Sequence, residues 1–107
     1  MNEKNAQDVK DLIDGAKKKP LILDVREQWE YDICHIENSV HIPMGKITSM
    51  GDELRPDEII IVVCHHGIRS RMVAKYLMTK GFKDVINLTG GIDAWSSDVD
   101  PAMPKYV

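Results

Sequence analysis

Short apolar runs alternate with longer amphipathic segments along the whole chain. The apolar runs predict four buried strands, at residues 21–25, 40–42, 59–63 and 85–88. Apolar positions at helical spacing predict two longer helices, one from Asn5 as N-cap to about residue 18 and one over 70–80. Weaker helical segments are predicted at 28–32, at 45–54 with an interruption near Gly51, and at 92–96. Pro20 and Gly81 follow the two longer helices and are expected to end them.

This alternation of strands and helices determines the expected fold class. Strands joined through helices pair in parallel, so we expect an α/β protein whose central parallel sheet is flanked by helices on both faces. The chain has 107 residues, which predicts a single domain over residues 1–107. It contains no apolar segment long enough to cross a membrane, and its polar start has no secretory-signal pattern. The two cysteines are read as thiols of a reducing compartment, so we expect a cytoplasmic protein.

Cys64 lies where the most apolar strand meets a short loop that leads into a helix. Parallel sheets carry their active sites outside the carboxyl ends of the strands, and Asp24 and Cys64 both fall at such ends. Backbone N–H groups near a helix start favour the thiolate form of a cysteine, which is the nucleophilic form. The structural alternative is a buried cysteine that acts only as a small apolar side chain.

The charge around Cys64 is of one sign. The chain has a net charge of −3, yet no Asp or Glu occurs between Cys64 and Lys83. Five cations lie in that stretch, namely Arg69, Arg71, Lys75, Lys80 and Lys83. Such a cluster would attract a small oxyanion, although an ordinary solvated helix face has the same composition.

Four segments, taken in order, identify a family. They read Leu-Asp-Val-Arg-Glu at 23–27, His-Ile at 35–36 with His-Ile-Pro at 41–43, Cys-His-His-Gly-Ile-Arg-Ser at 64–70, and Gly-Gly-Ile-Asp-Ala-Trp at 90–95. Together they resemble the rhodanese-like domains, specifically the small single-domain thiosulfate sulfurtransferases. The resemblance covers roughly residues 8 to 97, and its order is more specific than any one segment.

The resemblance implies a mechanism. Cys64 would attack the outer sulfur of a donor such as thiosulfate, carry that sulfur as a persulfide, and pass it to cyanide or a thiol acceptor. The loop that would bind the donor and the persulfide comprises His65, His66, Gly67, Ile68 and Arg69. Its backbone N–H groups would hold the persulfide, Arg69 would orient the anionic donor, and the two histidines would add positive charge when protonated. Asp24 and Arg26 would support the site, either as a structural ion pair or in catalysis. The resemblance implies no cofactor, metal, nucleic-acid partner or membrane partner.

The chain departs from the family pattern at one turn. Cys34 stands where the family has glycine, and Glu37-Asn38-Ser39 replaces Pro-Gly-Ala. Asn38 can adopt the left-handed backbone that glycine would provide. Cys34 is interpreted as a packing residue, with a second redox thiol as the alternative.

Several other functions stay open at this point. Phosphatases with a cysteine, five residues and then arginine are disfavoured, because Arg69 comes one place early. A zinc site built from Cys34, His35, Cys64, His65 and His66 is disfavoured, because adjacent ligands rarely converge on one tetrahedral ion. A non-catalytic rhodanese-like binding module is weakened by the presence of Cys64 and Arg69. The tail at 100–106 resembles the ending of rhodanese-like domains in sulfur-carrier activating enzymes, so sulfur delivery to a protein is a further alternative.

Overall fold

The computed structural model describes residues 1–107 and contains one five-stranded sheet. The strands are β1 (Asn2–Lys4), β2 (Leu21–Asp24), β3 (Val40–His41), β4 (Ile59–Val63) and β5 (Asp84–Leu88). Their spatial order is β1-β5-β4-β2-β3, and every neighbouring pair is parallel. β4 therefore occupies the centre of the sheet, which explains why it has the most continuous apolar sequence.

Helices cover both faces of this sheet. They are α1 (Ala6–Gly15), α2 (Gln28–Ile33), α3 (Ile47–Met50), α4 (Ile68–Thr79) and α5 (Gly91–Asp98). Side chains alternate along β4, so Ile60 and Val62 pack with α3 and α4, while Ile61 and Val63 pack with α1 and α5. The predicted α/β fold class is thereby confirmed. No helix of the structure combines the length and the apolar character that crossing a bilayer requires.

The predicted elements differ from the structure mainly at their ends. α1 ends at Gly15 because the backbone of Ala16 is already extended. α4 begins at Ile68, two positions before the predicted start, because Gly67 takes a left-handed conformation and acts as its N-cap. The weak helix predicted at 45–54, with an interruption near Gly51, consists of α3 between two short 3-10 turns, Met44–Lys46 and Gly51–Glu53, so α3 does end at the predicted interruption. β1 was not predicted.

Candidate active site

Cys64 directly follows β4, and its side chain is buried. The N–H of Gly67 donates a hydrogen bond to Cys64 Sγ at 3.0 Å. Gly67 has a φ of 102°, a left-handed conformation that glycine adopts readily and from which α4 begins. The sulfur therefore lies inside a tight loop and accepts a hydrogen bond from a backbone donor.

The loop is anchored by the start of α5. The N–H of Ile92 donates to the carbonyl oxygen of Cys64 at 2.8 Å, and that of Asp93 donates to the carbonyl oxygen of His65 at 3.2 Å. A Cβ on Gly91 would overlap both carbonyl oxygens, and Gly91 also has a φ of 62°. The glycine pair at 90–91 thus allows the close approach that fixes the backbone of the nucleophile.

A polar relay lies behind Cys64. Cys64 Sγ is 3.2 Å from Ser70 Oγ, which donates to Asn87 Oδ1 at 2.5 Å. Asn87 Nδ2 donates to the carbonyl oxygen of Gly67 at 3.1 Å and to Glu3 Oε1 at 2.7 Å. Because both of these partners are acceptors, the amide orientation of Asn87 is determined and its oxygen faces Ser70. Ser70 therefore commits its single proton to Asn87 and offers Cys64 only lone pairs.

Arg69 is held by a carboxylate of this chain. Its two terminal nitrogens lie 2.6 and 2.8 Å from the carboxylate oxygens of Glu30, which is buried. Glu30 also accepts hydrogen bonds from the N–H of Glu27 at 3.0 Å and the hydroxyl of Tyr106 at 2.6 Å. The expected anion-orienting arginine is thus already neutralised within the protein.

The charges of this pair are stabilised in both members. Burial by itself would raise the pKa of Glu30, but hydrogen bonds from Arg69 and Tyr106 lower it to about 2. The pKa of Arg69 is raised above its ordinary value, chiefly by its hydrogen bonds with Glu30. Both groups are therefore charged across the whole neutral range.

Asp24 and Arg26 form a fully buried ion pair below the loop. Arg26 Nη2 lies 2.8 Å from Asp24 Oδ2 and donates to the carbonyl oxygen of Cys34 at 2.6 Å, and Arg26 Nη1 donates to the hydroxyl of Tyr106 at 3.0 Å. Burial lowers the pKa of Arg26, but hydrogen bonds with Asp24 more than offset this and raise it. These contacts support the structural interpretation of the pair, because Arg26 joins the end of β2, the end of α2 and the C-terminal tail. Cys34 itself is a buried free thiol in the core.

The two histidines of the loop, His65 and His66, differ in exposure, since His65 is partly buried and His66 is exposed. The ring of His65 stacks on those of His66 and Tyr106, with centroid distances of 3.9 and 4.0 Å. Burial, together with the neighbouring His66, lowers the pKa of His65, which reduces the positive charge that this ring can add to the site. His66 is exposed and lies 4.0 Å from Asp93.

One group of potential metal ligands includes both of these histidines. The ligand atoms of His65, His66 and Asp93 all lie within 4.8 Å of one another. This set contains neither cysteine, so it differs from the zinc set considered from the sequence. His65 Nε2 is 3.1 Å from the carbonyl oxygen of Tyr106, which already occupies one of its ring nitrogens.

Three polar residues of the site were not selected from the sequence. Glu30 carries no distinctive sequence signal, because acidic residues are common in the first turn of a helix. Asn87 carries the clearest sequence signal, because it is the one amide in the apolar run of β5. Tyr106 lies in the C-terminal tail, 76 residues after Glu30, and its hydroxyl donates a hydrogen bond to Glu30. The sequence gives no signal for this contact, because it depends on the path of the tail.

The class of protein follows from fold and site together. Residues 5–98 match the family model described as Rhodanese-like domain, so the chain belongs to this sulfurtransferase family, as the sequence motifs indicated.

Particular relatives support this assignment. The chain is 42% identical over 79 residues to YrkF of Bacillus subtilis, whose name describes a candidate sulfur carrier protein; the match covers 74% of this chain and 43% of YrkF. It is 37% identical over 83 residues to the thiosulfate sulfurtransferase GlpE of Coxiella burnetii, covering 77% of this chain and 78% of GlpE. The crystal structure of a rhodanese-like domain protein from Staphylococcus aureus superposes with a TM-score of 0.83 at 33% identity, covering 89% of this chain and 91% of that one.

Proposed function

We propose that this chain transfers sulfane sulfur through a persulfide on Cys64, with thiosulfate or a similar anion as donor. The observation that carries the proposal is the position of Cys64 Sγ, which is buried at the end of β4 and accepts the N–H of Gly67 at 3.0 Å. A sulfur in this place is a nucleophile whose anionic form is stabilised by the loop backbone.

The first half-reaction loads the enzyme. The Cys64 thiolate attacks the outer sulfur of thiosulfate, a sulfur–sulfur bond forms at Cys64, and the bond to the sulfonate sulfur breaks. Sulfite leaves with the electron pair of that bond. The negative charge of the thiolate moves to the outer sulfur of the persulfide, where the backbone N–H groups of residues 65–69 would hold it.

The second half-reaction regenerates the thiolate. Cyanide or a thiolate acceptor attacks the outer sulfur, the bond to Cys64 breaks, and its electron pair returns to Cys64. The products are thiocyanate or an acceptor persulfide. No net oxidation or reduction occurs, so the cycle needs no redox cofactor.

The loop residues have separate roles in this proposal. His65, His66, Gly67 and Ile68 form the loop around the sulfur, and Asp24 and Arg26 support it from below. Arg69 positions the loop through Glu30, and it can contact a donor anion only if that anion shares or displaces the carboxylate. The free state of both cysteines supports a reducing, cytoplasmic setting.

Two alternative functions make different predictions about the persulfide. A non-catalytic binding module would form no persulfide, whereas a sulfur relay to a protein acceptor would form one and discharge it to a protein thiol. Steady-state kinetics with thiosulfate and cyanide separate the first alternative from the proposal. We expect parallel double-reciprocal plots, typical of a ping-pong cycle, and no thiocyanate from Cys64→Ser. Thiocyanate formation by Cys64→Ser at the wild-type rate would refute the proposal.

A further inference from the structure

Two imidazole rings and one carboxylate lie together where the active-site loop meets the start of α5. They belong to His65, His66 and Asp93, whose ligand atoms all lie within 4.8 Å of one another. His66 Nε2 lies 4.0 Å from Asp93 Oδ2. Ligand atoms bonded to one tetrahedral zinc ion lie about 3.3 Å apart, so a small movement brings these groups to coordinating distance. We call these three residues the histidine–aspartate cluster.

The two histidine rings point the same way although the residues are adjacent in sequence. Adjacent residues usually direct their side chains apart, and for that reason they rarely share a metal ion. Here the rings of His65 and His66 stack with a centroid distance of 3.9 Å and an interplanar angle of 22°. The side chain of His66 is 61% exposed, so its ring can turn toward an ion without leaving a packed environment. The stacking therefore places both imidazoles on one side of the loop.

The ring of His65 is oriented by the C-terminal tail. Its Nε2 lies 3.1 Å from the carbonyl oxygen of Tyr106, and the ring of Tyr106 stacks on it at 4.0 Å. Because a carbonyl oxygen only accepts hydrogen bonds, Nε2 carries the proton and the lone pair of the neutral ring is on Nδ1. Histidines that bind metals commonly donate their other ring N–H to a carbonyl or carboxylate oxygen, which fixes the ring and its tautomer. His65 has this arrangement.

Asp93 is held over the loop by backbone hydrogen bonds. Its N–H donates to the carbonyl oxygen of His65 at 3.2 Å, and the N–H of Ile92 donates to that of Cys64 at 2.8 Å. The first turn of α5 and the loop are thereby joined, so the carboxylate stays beside the two rings. The only ion pair of this carboxylate is the one with His66, and 43% of the side chain is exposed. It is therefore available to an ion from solution.

We propose that the histidine–aspartate cluster binds one divalent transition-metal ion such as Zn²⁺. Two imidazole nitrogens and one carboxylate oxygen suit Zn²⁺, whereas Mg²⁺ and Ca²⁺ prefer sites made of oxygen ligands. Three protein ligands leave the fourth position of a tetrahedral ion to water. The site uses neither cysteine, so it is separate from the proposed transfer of sulfur through Cys64.

Isothermal titration calorimetry with zinc chloride tests the proposal on the full chain without an affinity tag. The parent protein is Cys64→Ser, because a thiolate is itself a zinc ligand and would add a second site. His66→Ala and Asp93→Asn are made in this background. His35→Asn is the matched control, because His35 is also an exposed histidine with a stacked ring, on Tyr31, but lies outside the cluster. Circular dichroism verifies that each variant is folded.

We expect the Cys64→Ser parent to bind one Zn²⁺ per chain. His66→Ala and Asp93→Asn should each weaken this binding by at least about tenfold, because the loss of even an outer partner of a metal ligand commonly costs that much. His35→Asn should bind with the affinity of the parent.

The outcomes separate this inference from the proposed function. No Zn²⁺ binding by Cys64→Ser, or an affinity that His66→Ala or Asp93→Asn leaves unchanged, would overturn the metal-site proposal. Binding by the wild type that Cys64→Ser lacks would assign the ion to the nucleophile and would overturn it as well. The persulfide is tested on metal-free protein, so none of these results bears on sulfur transfer.

Discussion

Arg69 and Glu30, 39 residues apart in the sequence, form a two-pronged ion pair with nitrogen–oxygen distances of 2.6 and 2.8 Å. This pair ties the helix after β2 to the loop that carries Cys64. It turns an arginine that the sequence suggested as a donor-binding group into a group that holds the loop. Two of the predictions below follow directly from it.

Removal of Arg69 should destabilise the fold. Arg69→Ala leaves the buried carboxylate of Glu30 without its cation, at a cost of about 3 kcal/mol in the free energy of unfolding. Arg71→Ala is the control, because the pair between Arg71 and Glu3 is more exposed and should cost less than about 1 kcal/mol. Urea denaturation measures both. The double variant Glu30→Gln with Arg69→Ala should regain part of the stability lost in Arg69→Ala. Equal losses of unfolding free energy in Arg69→Ala and Arg71→Ala would contradict this account of Arg69.

Glu30 should make the stability depend on acidic pH. Its pKa is lowered from 4.5 to about 2 in the fold, so its contribution is complete above pH 4.5 and is lost as the pH falls toward 2. The contribution is on the order of 3 kcal/mol. Glu30→Gln should therefore flatten the dependence of the unfolding free energy on pH over this window. Asp32→Asn, an exposed acid on the same helix, should leave the slope close to that of the wild type.

Gly91 should be far less tolerant of a side chain than Gly81. Both have positive φ values, 62° and 91°, so alanine strains the backbone at each by about 1 kcal/mol. Only at Gly91 would the Cβ overlap the carbonyl oxygens of Cys64 and His65, whereas at Gly81 nothing lies within 4 Å. Gly91→Ala should lose at least about 3 kcal/mol and most sulfur transfer. Similar thermal unfolding and activity in the two variants would show that this close approach does not fix the loop.

The sequence was sufficient for the elements whose residues carry their own signal. β2, β4 and β5 match their predicted positions closely because buried parallel strands are continuously apolar. β1 was missed because Asn2, Glu3 and Lys4 are polar, and an edge strand of this kind depends on its pairing with β5.

In the candidate site, too, local features could be predicted from the sequence and long-range contacts could not. The placement of Asp24 at the end of β2 and of Cys64 directly after β4 is local in sequence and could be predicted, and Asn38 does adopt positive φ, at 68°. The partnership of Arg69 with Glu30 could not, because the spacing of two charges along the chain does not reveal which groups the fold brings together. The same holds for Tyr106, whose contacts depend on the path of the tail.

The central claim is that Cys64 carries the transferred sulfur, and intact mass spectrometry after brief exposure to thiosulfate tests it most directly. We expect the wild type and Cys34→Ser to gain about 32 Da, the mass of one sulfur atom, and to lose it on addition of cyanide. Cys64→Ser should gain nothing while retaining the wild-type circular dichroism spectrum. An adduct that persists in Cys64→Ser, or that disappears only in Cys34→Ser, would contradict the account.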